Sequence, residues 1–239
     1  MNLLLIRHGQ TNWNLKQCFQ GQSDIPLNET GRKQAQALAD RLSAEQLDHV
    51  YVSDLQRAVE TANIILRTSG YKPNLHPDSR LREVNFGAWE GLTYDEIKAK
   101  YPEPLAAWEN DIFKNAPPNG ETLEQLSARV QSVLDELCAK HQDQTVLIVA
   151  HGGVLQTLIC LALKLPPMMY WQFHLSTASL SELAFYPAGA ILNSLNDTCH
   201  LPKAPPKKAW NPLSRGKSNE VDLPKDSTME KTERTEKTP

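Results

Sequence analysis

The sequence lacks a long apolar stretch, and this absence bears on membranes and export. No run among its 239 residues approaches the roughly 18 to 20 apolar residues that a membrane-spanning helix needs. The opening run Leu3 to Ile6 stops at Arg7, which is too short for the apolar region of a signal peptide. We therefore expect a soluble chain that carries no signal peptide.

The sequence also has few cysteines and a small net charge. The four cysteines, at positions 18, 138, 160 and 199, form no C-x-x-C pair and have no metal-like spacing to histidine. This pattern argues against a disulfide framework or a zinc site and favours reduced thiols in the cytoplasm. The formal charge of -3, from 25 basic and 28 acidic residues, is too small for a protein built to bind nucleic acid or an anionic membrane.

Composition changes near residue 202. The last 37 residues, 203–239, hold 9 basic and 6 acidic residues and 5 of the 16 prolines, but only three branched aliphatic side chains. Such a segment buries too little apolar surface to offset its ordering entropy, so we expect a disordered, charged tail. Residues 1–202 then carry a net charge of -6 and have the size of one catalytic or binding domain.

Within 1–202, hydrophobic patterns predict strands that alternate with helices. Short apolar runs predict strands at 3–6, 49–52, 146–149, 180–185 and 190–195. Helical periodicity and S/T-x-x-Q capping boxes at 53–56 and 122–125 predict helices over about 35–42, 55–66, 123–137 and 152–165. This alternation indicates an α/β three-layer sandwich, with a mainly parallel central sheet and helices on both faces.

Residues 81 to 120 interrupt the alternation. Short helical candidates at 93–100 and 105–111 are broken by prolines 102, 104, 117 and 118, so we expect an excursion over one edge of the sheet. The aromatic residues Phe86, Trp89 and Trp108 are open to two interpretations, as walls of a pocket or as core.

Two histidines follow predicted buried strands in matching contexts, His8 within Arg-His-Gly and His151 within His-Gly-Gly. Arg57 follows a third strand, and ligands of α/β proteins bind where the carboxyl ends of parallel strands meet. Arg7, Arg57 and the helix N-terminus after His151 suit a phosphate-like anion, since guanidinium groups pair with its oxygens in bidentate fashion. The sequence therefore predicts an anion site at this edge.

Each residue alone has a simpler explanation, because a single histidine or arginine is more often structural or solvated. We assign histidines 49, 76, 141, 174 and 200 to that class. From the residues alone, the carboxylate that would serve the site stays open between Glu83, Glu90, Asp95 and Glu96.

Taken together, the motifs resemble the histidine phosphatase superfamily, which is also called the phosphoglycerate mutase-like family. The matching stretches are Arg7–Asn14 (RHGQTNWN), Ser53–Ala58 (SDLQRA), Glu83 within LREVNFGAWEG, and VAHGG ending at Gly153, in family order over about 1–195. The resemblance implies a phosphoglycerate mutase-like fold and a phosphomonoester enzyme with a phosphohistidine intermediate and neither metal nor other cofactor.

The resemblance also implies roles, carried over by matching motif. His8 would be the nucleophile, while Arg7, Arg57 and His151 would hold the phosphoryl oxygens. Glu83 would protonate the leaving alcohol and then activate water. Contacts to phosphate or substrate would come from Asn14, Gln20, Gly21 and Gly152.

Further motifs are similar to the alpha-ribazole phosphatase branch, namely 86–93, Trp108-x-x-Asp111, 117–122 and 195–201. The expected partner is a small phosphomonoester such as alpha-ribazole 5'-phosphate, with no nucleic acid or membrane. Alternatives are a phosphoserine or broad-specificity phosphatase, a phosphoglycerate mutase and a non-catalytic phosphate-binding scaffold. Asn85-Phe86 counts against phosphoserine, because those relatives tend to carry a histidine there. The oligomeric state stays open, with a homodimer as one alternative.

Overall fold

The computed structural model describes residues 1–68 and 73–202, and the predicted tail at 203–239 lies outside these ranges. Residues Met1–Pro202 form one compact unit. The strands are β1 Asn2–Arg7, β2 His49–Val52, β3 Asn74–Pro77, β4 Thr145–Ala150, β5 Leu180–Tyr186 and β6 Gly189–Asp197. The α-helices are α1 Asn12–Lys16, α2 Glu29–Arg41, α3 Gln56–Thr68, α4 Tyr94–Lys100, α5 Pro102–Asn110, α6 Leu123–Lys140 and α7 Gly152–Ala162.

The described strands form one sheet in the order β3-β2-β4-β1-β5-β6. β1 pairs with β4, β4 with β2 and β2 with β3 in parallel, whereas β5 and β6 add an antiparallel edge. The predicted α/β sandwich with a mainly parallel sheet is therefore confirmed. β3 was not predicted, because this short edge strand is only partly buried and its sequence NLHP gives no apolar run.

The continuous apolar runs arise because helices cover both faces of the sheet. Along β1, Leu3 and Leu5 pack into a core cluster with residues of α6 and α7, and Leu4 and Ile6 pack into a second cluster with residues of α2 and α3. Successive side chains of a strand point to opposite faces, so a strand covered on both sides must be apolar at every position. The parallel pairing of β1, β4 and β2 directs the carboxyl ends of these strands to the same edge of the sheet.

The helix boundaries test the predicted caps. Thr122 and Gln125 form the predicted capping box, with 3.1 Å from Gln125 N to Thr122 Oγ1 and 2.9 Å from Thr122 N to Gln125 Oε1. The box predicted at 53–56 is wrong, because Gln56 N and the Gln56 side chain both bond to Asp24. The Ser53 hydroxyl bonds to His151 and accepts only a long 3.4 Å bond from Leu55 N. α7 ends at Ala162 rather than near 165, where Lys164 takes a left-handed φ of 56° and closes a Schellman turn.

The excursion between β3 and α6 has its own small core. Trp89 is fully buried, its ring meets that of Trp108 edge to face at 5.5 Å between centroids, and Ile97 and Leu105 pack around it. Trp89 therefore belongs to the core, whereas Phe86 and Trp108 are partly buried, pack against this cluster and also line a small cavity with Tyr170. Pro102 starts α5 rather than breaking it, since the first helical position needs no N–H.

Candidate functional site

The strand order brings the candidate residues to one edge of the sheet. β4 lies between β1 and β2, so His8, His151 and Ser53, each directly after its strand, become neighbours. The ring centroids of His8 and His151 are 5.1 Å apart, with 58° between the ring planes. Arg57 is the second residue of α3, which begins a few residues after β2.

The environment of His8 keeps its imidazole unprotonated at Nε2. It is 2% exposed, and its Nδ1 lies 2.7 Å from the carbonyl oxygen of Gly9. A carbonyl oxygen can only accept, so Nδ1 carries the ring proton and Nε2 keeps its lone pair. Burial, followed by the charges of Arg57 and Arg7, holds the pKa of His8 well below its ordinary value of 6.5. The imidazole is therefore neutral near neutral pH, with Nε2 as its nucleophilic atom.

Two arginines, the buried Arg57 and the partly buried Arg7, supply the positive charge. Arg57 is fully buried and donates from Nη1 to Ser23 O at 2.8 Å and from Nη2 to Gly21 O at 2.7 Å. Burial lowers its pKa from 12.5 to about 10, so the guanidinium stays charged at neutral pH. Arg7 donates from Nη1 to Leu175 O at 2.6 Å, while its buried Nε has no hydrogen-bond partner within the described residues. A buried donor without a partner is costly, and an anion in the site would offset that cost.

His151 is held at both ring nitrogens. Arg57 Nε donates to Nδ1 at 3.2 Å, which leaves the proton on Nε2, 2.7 Å from the Ser53 hydroxyl oxygen. Burial, followed by the charges of Arg57, His8 and Arg7, holds the pKa of His151 well below 6.5. In this geometry His151 directs no N–H into the site, so the predicted contact to an oxyanion requires Nδ1 to gain a proton.

Glu83 lies on an irregular segment and meets the first turn of α7. Its Oε1 accepts from Val84 N at 3.0 Å and its Oε2 from Gly153 N at 3.3 Å. A Cβ atom at Gly153 would lie only 2.8 Å from Glu83 Oε1 and from Val84 Cγ2, so a larger residue here would force these side chains to shift. The structure therefore places the Glu83 carboxylate beside the helix that His151 begins.

Glu90 and Glu96, which the residues alone left open, have structural partners. Glu90 accepts from Gln22 N, Ser23 N, Ser23 Oγ and Phe86 N at 2.5 to 3.2 Å, and so joins the loop at 20–23 to the excursion. Glu96 completes the capping box of α4 with Thr93. Asp95 is exposed in the first turn of α4, so Glu83 is the better candidate for proton transfer.

The predicted substrate-contact residues, Asn14, Gln20, Gly21 and Gly152, differ in what the structure shows of their contacts. Gly21 has a left-handed φ of 52°, and a Cβ there would lie 1.9 Å from Glu90 Oε1, so the loop that presents its carbonyl to Arg57 requires glycine. Asn14 Oδ1 and Gln20 Oε1 accept from Thr11, which leaves their amide nitrogens as the groups that a ligand could use. Gly152 begins α7 beside the Arg7 guanidinium.

Two residues that support the site were missed by the sequence analysis. Ser53 was interpreted as a helix cap but bonds to His151. Arg129 of α6 donates to the backbone carbonyl of Glu83 at 3.0 Å. A side chain that binds a backbone carbonyl far away in the chain leaves no local pattern in the sequence, so Arg129 had no signal.

A separate histidine cluster lies away from these residues. His49, His76 and His141 line a cavity of about 390 Å³ together with Tyr51, whose hydroxyl is 2.8 Å from His141 Nε2. Within 1–68 and 73–202, no three His, Cys, Asp or Glu side chains are grouped to hold a metal ion, and no helix has the length and apolar character that crossing a bilayer requires. All four cysteines, which lie in these ranges, are free.

Comparison with known proteins agrees with this geometry. A family model described as "Histidine phosphatase superfamily (branch 1)" matches residues 3–198. Phosphoserine phosphatase 1 of Hydrogenobacter thermophilus is 33% identical over 201 residues, which cover 84% of this chain and 94% of the relative. Glucosyl-3-phosphoglycerate phosphatase of Mycobacterium tuberculosis is 38% identical over 172 residues, 69% of this chain and 76% of the relative.

Among solved structures, the alpha-ribazole phosphatase of Shigella flexneri superposes with a TM-score of 0.77 at 34% identity, covering 82% of this chain and 96% of that one. The chain therefore belongs to the histidine phosphatase superfamily, branch 1. This confirms the resemblance drawn from the motifs. It identifies the class of the protein as a histidine phosphatase that acts on small phosphorylated molecules.

Proposed function

We propose that this protein hydrolyses a small phosphomonoester without a metal ion, through a phosphohistidine formed on His8. The observation that carries the proposal is the state of His8, a buried neutral imidazole whose Nδ1 bonds to Gly9 O, so that Nε2 remains as the nucleophile. Arg7 and Arg57 beside it supply positive charge for the phosphoryl oxygens. A binding scaffold would need the arginines but not an unprotonated histidine.

Two steps follow from this arrangement. In the first, His8 Nε2 attacks phosphorus, a P–N bond forms, the P–O bond to the alcohol breaks, and Glu83 gives its proton to the departing oxygen. In the second, Glu83 takes a proton from water, the oxygen of that water attacks phosphorus, and the P–N bond breaks to release inorganic phosphate and restore His8. Splitting one transfer into two lowers each barrier.

His151 would join the phosphate site only when the ligand is present. A phosphoryl dianion within reach of Nδ1 favours the protonated imidazole. Nδ1 would then donate to a phosphoryl oxygen instead of accepting from Arg57, while Ser53 continues to hold Nε2. Asn14, Gln20 and the N-terminus of α7 at Gly152 would complete the contacts.

For the substrate we propose alpha-ribazole 5'-phosphate, on the strength of the branch motifs and the likeness to the Shigella flexneri enzyme. Phosphoserine is the second candidate, because a phosphoserine phosphatase is 33% identical to this chain over most of its length. Residues 1–202, which contain every proposed site residue, would be the catalytic domain.

Brief incubation of the protein with a ³²P-labelled phosphomonoester tests the mechanism. We expect acid-labile, base-stable label on the protein, and its loss in His8→Ala together with turnover. Retention of label or of turnover in His8→Ala would exclude His8 as the nucleophile. A panel with alpha-ribazole 5'-phosphate, phosphoserine, glucosyl-3-phosphoglycerate and 3-phosphoglycerate then ranks substrates by kcat/KM, and isomerisation of 3-phosphoglycerate in place of phosphate release would indicate a mutase.

A further inference from the structure

One side chain of helix α6 donates hydrogen bonds to the backbone of the segment that carries Glu83. Residues 83–86 have no regular secondary structure, so their backbone needs other anchors. Arg129 Nη2 donates to Glu83 O at 3.0 Å, and Arg129 Nη1 donates to Arg80 O at 2.6 Å. One planar guanidinium therefore fixes two backbone carbonyls, one of which belongs to the proposed proton donor.

Glu121 in turn fixes Arg129. Its Oε1 and Oε2 accept from Arg129 Nη2 at 2.5 Å and Nε at 3.1 Å, and the two side chains are only 14% and 18% exposed. Glu121 Oε1 also accepts from Asn85 N at 2.8 Å, and Glu121 N donates to Asn85 O at 2.9 Å. The pair thus holds the chain on both sides of the Glu83 side chain.

We propose that Arg129, oriented by Glu121, is a positioning residue that sets the place of the Glu83 carboxyl group for proton transfer. The proposal rests on the role of Glu83 given under the proposed function. Lysine cannot replace this arginine, because an ammonium group is compact and lacks the rigid fork that spans two carbonyls and a carboxylate. Arg129 donates to none of the phosphate-binding groups, and its charge is the weakest of those that disfavour protonation of His151, so phosphate binding should be largely retained without it.

Substrates with different leaving groups distinguish a positioning role of Arg129 from a purely structural one. When the P–O bond to an alkyl phosphate breaks, the alkoxide oxygen must take the proton of Glu83, whereas p-nitrophenolate departs as a stable anion. kcat/KM reports the steps up to release of the leaving group. A misplaced acid therefore slows alkyl phosphates selectively, while general loss of structure slows both substrates by the same factor.

The test compares Arg129→Met and Arg129→Lys with a matched control, Arg80→Met. The Arg80 side chain makes ion pairs of 2.6 Å with Asp78 and 2.7 Å with Glu136 of α6, and it is not placed in the site. We expect Arg129→Met to lower kcat/KM for an alkyl phosphate by about 10- to 100-fold and for p-nitrophenyl phosphate by less than about threefold. Arg129→Lys should lie between Arg129→Met and the native protein, and Arg80→Met should change both substrates equally.

Equal factors for the two substrates in Arg129→Met would overturn the proposal. Glu83→Gln, measured alongside, shows which idea has failed. If Glu83→Gln is selective for alkyl phosphates and Arg129→Met is not, positioning by Arg129 is wrong. If Glu83→Gln is not selective either, the role of Glu83 itself is wrong. Should Arg129→Met fail to fold, the same two losses in kcat/KM, for the alkyl phosphate and for p-nitrophenyl phosphate, are compared in Glu121→Gln. This substitution keeps an acceptor for Asn85 N but removes the charge that orients Arg129, so equal losses in it would likewise overturn the proposal.

Discussion

The two glycines that begin α7 allow the place of the Glu83 carboxylate to be tested with one added methyl group. An ideal Cβ at Gly153 would lie 2.8 Å from both Glu83 Oε1 and Val84 Cγ2. An ideal Cβ at Gly152 would lie 3.5 Å from Arg7 Cζ, which is an ordinary van der Waals distance. Gly153→Ala must therefore displace the carboxylate, whereas Gly152→Ala has room.

The size of the effect follows from these distances. To turn the 2.8 Å overlap in Gly153→Ala into an ordinary contact, the Glu83 carboxylate must move by about half an ångström or more. A misplacement of about 1 Å costs on the order of 10²-fold in rate. We expect roughly a 10- to 50-fold lower kcat/KM for an alkyl phosphate in Gly153→Ala. Folding stability should stay within about 1 kcal/mol of the native value, because alanine has the higher helix propensity and offsets part of the strain.

Steady-state kinetics and urea unfolding of both variants supply the assay. Gly152→Ala, whose methyl group makes only an ordinary contact with Arg7, should lose less activity than Gly153→Ala, and because Gly152 borders the proposed phosphate site its loss should be the same for alkyl phosphate and p-nitrophenyl phosphate. Native activity in Gly153→Ala would refute the placement of Glu83 against α7. Equal losses in the two variants would show that the N-terminus of α7, rather than the carboxylate, is what the methyl group disturbs.

Four further predictions follow. Ser53→Ala should lower kcat/KM by about tenfold, since His151 Nε2 loses its partner, and Ser53→Thr, which keeps the hydroxyl, serves as its control in the same assay. The folded-state pKa values of His8 and His151 lie below 6.5, so the unfolded chain binds protons first and the free energy of unfolding should fall as pH drops below 6.5, by up to about 1.4 kcal/mol per pH unit for each imidazole. Urea unfolding at several pH values should show a shallower dependence in His8→Gln, and an unchanged slope would contradict the assignment. Calorimetric titration with inorganic phosphate at pH 8, in buffers of different ionisation enthalpy, should show proton uptake that His151→Asn abolishes. Truncation after Pro202 should leave kcat/KM unchanged, and a large loss would show that the tail contributes to the site.

The sheet centre was predictable because burial on both faces leaves a strong local signal. The apolar runs of β1, β2 and β4 predict buried strands, and strands that run in the same direction place His8 and His151 at one edge of the sheet, as the parallel pairing confirms. β3 left no such signal, because a four-residue edge strand with a proline and one aliphatic side chain can form only where β2 offers a hydrogen-bonding partner.

The support of the site was less predictable than its reactive groups. Ser53 matched a helix-capping pattern, yet its hydroxyl bonds to His151 and does not cap α3. Arg129 and Glu121 lie on or beside α6, at positions where a helical pattern predicts only solvated charges. Such contacts form between segments distant in sequence, and only the tertiary structure brings them together.

The two arginines explain why the site pairs charged groups with neutral histidines. Arg57 is buried with a pKa of about 10, and the nearby carboxylates of Glu83, Asp24 and Glu90 help to keep it charged. Burial, followed by this charge, disfavours protonation of His8, so the groups that attract a phosphoryl dianion also help to keep the lone pair of Nε2 available for attack. A protonated His8 would bind the anion but could not attack phosphorus. The net charge of the chain cannot reveal this arrangement, because its effect depends on groups within a few ångströms of one another, inside a low-dielectric interior where charge interactions are strong.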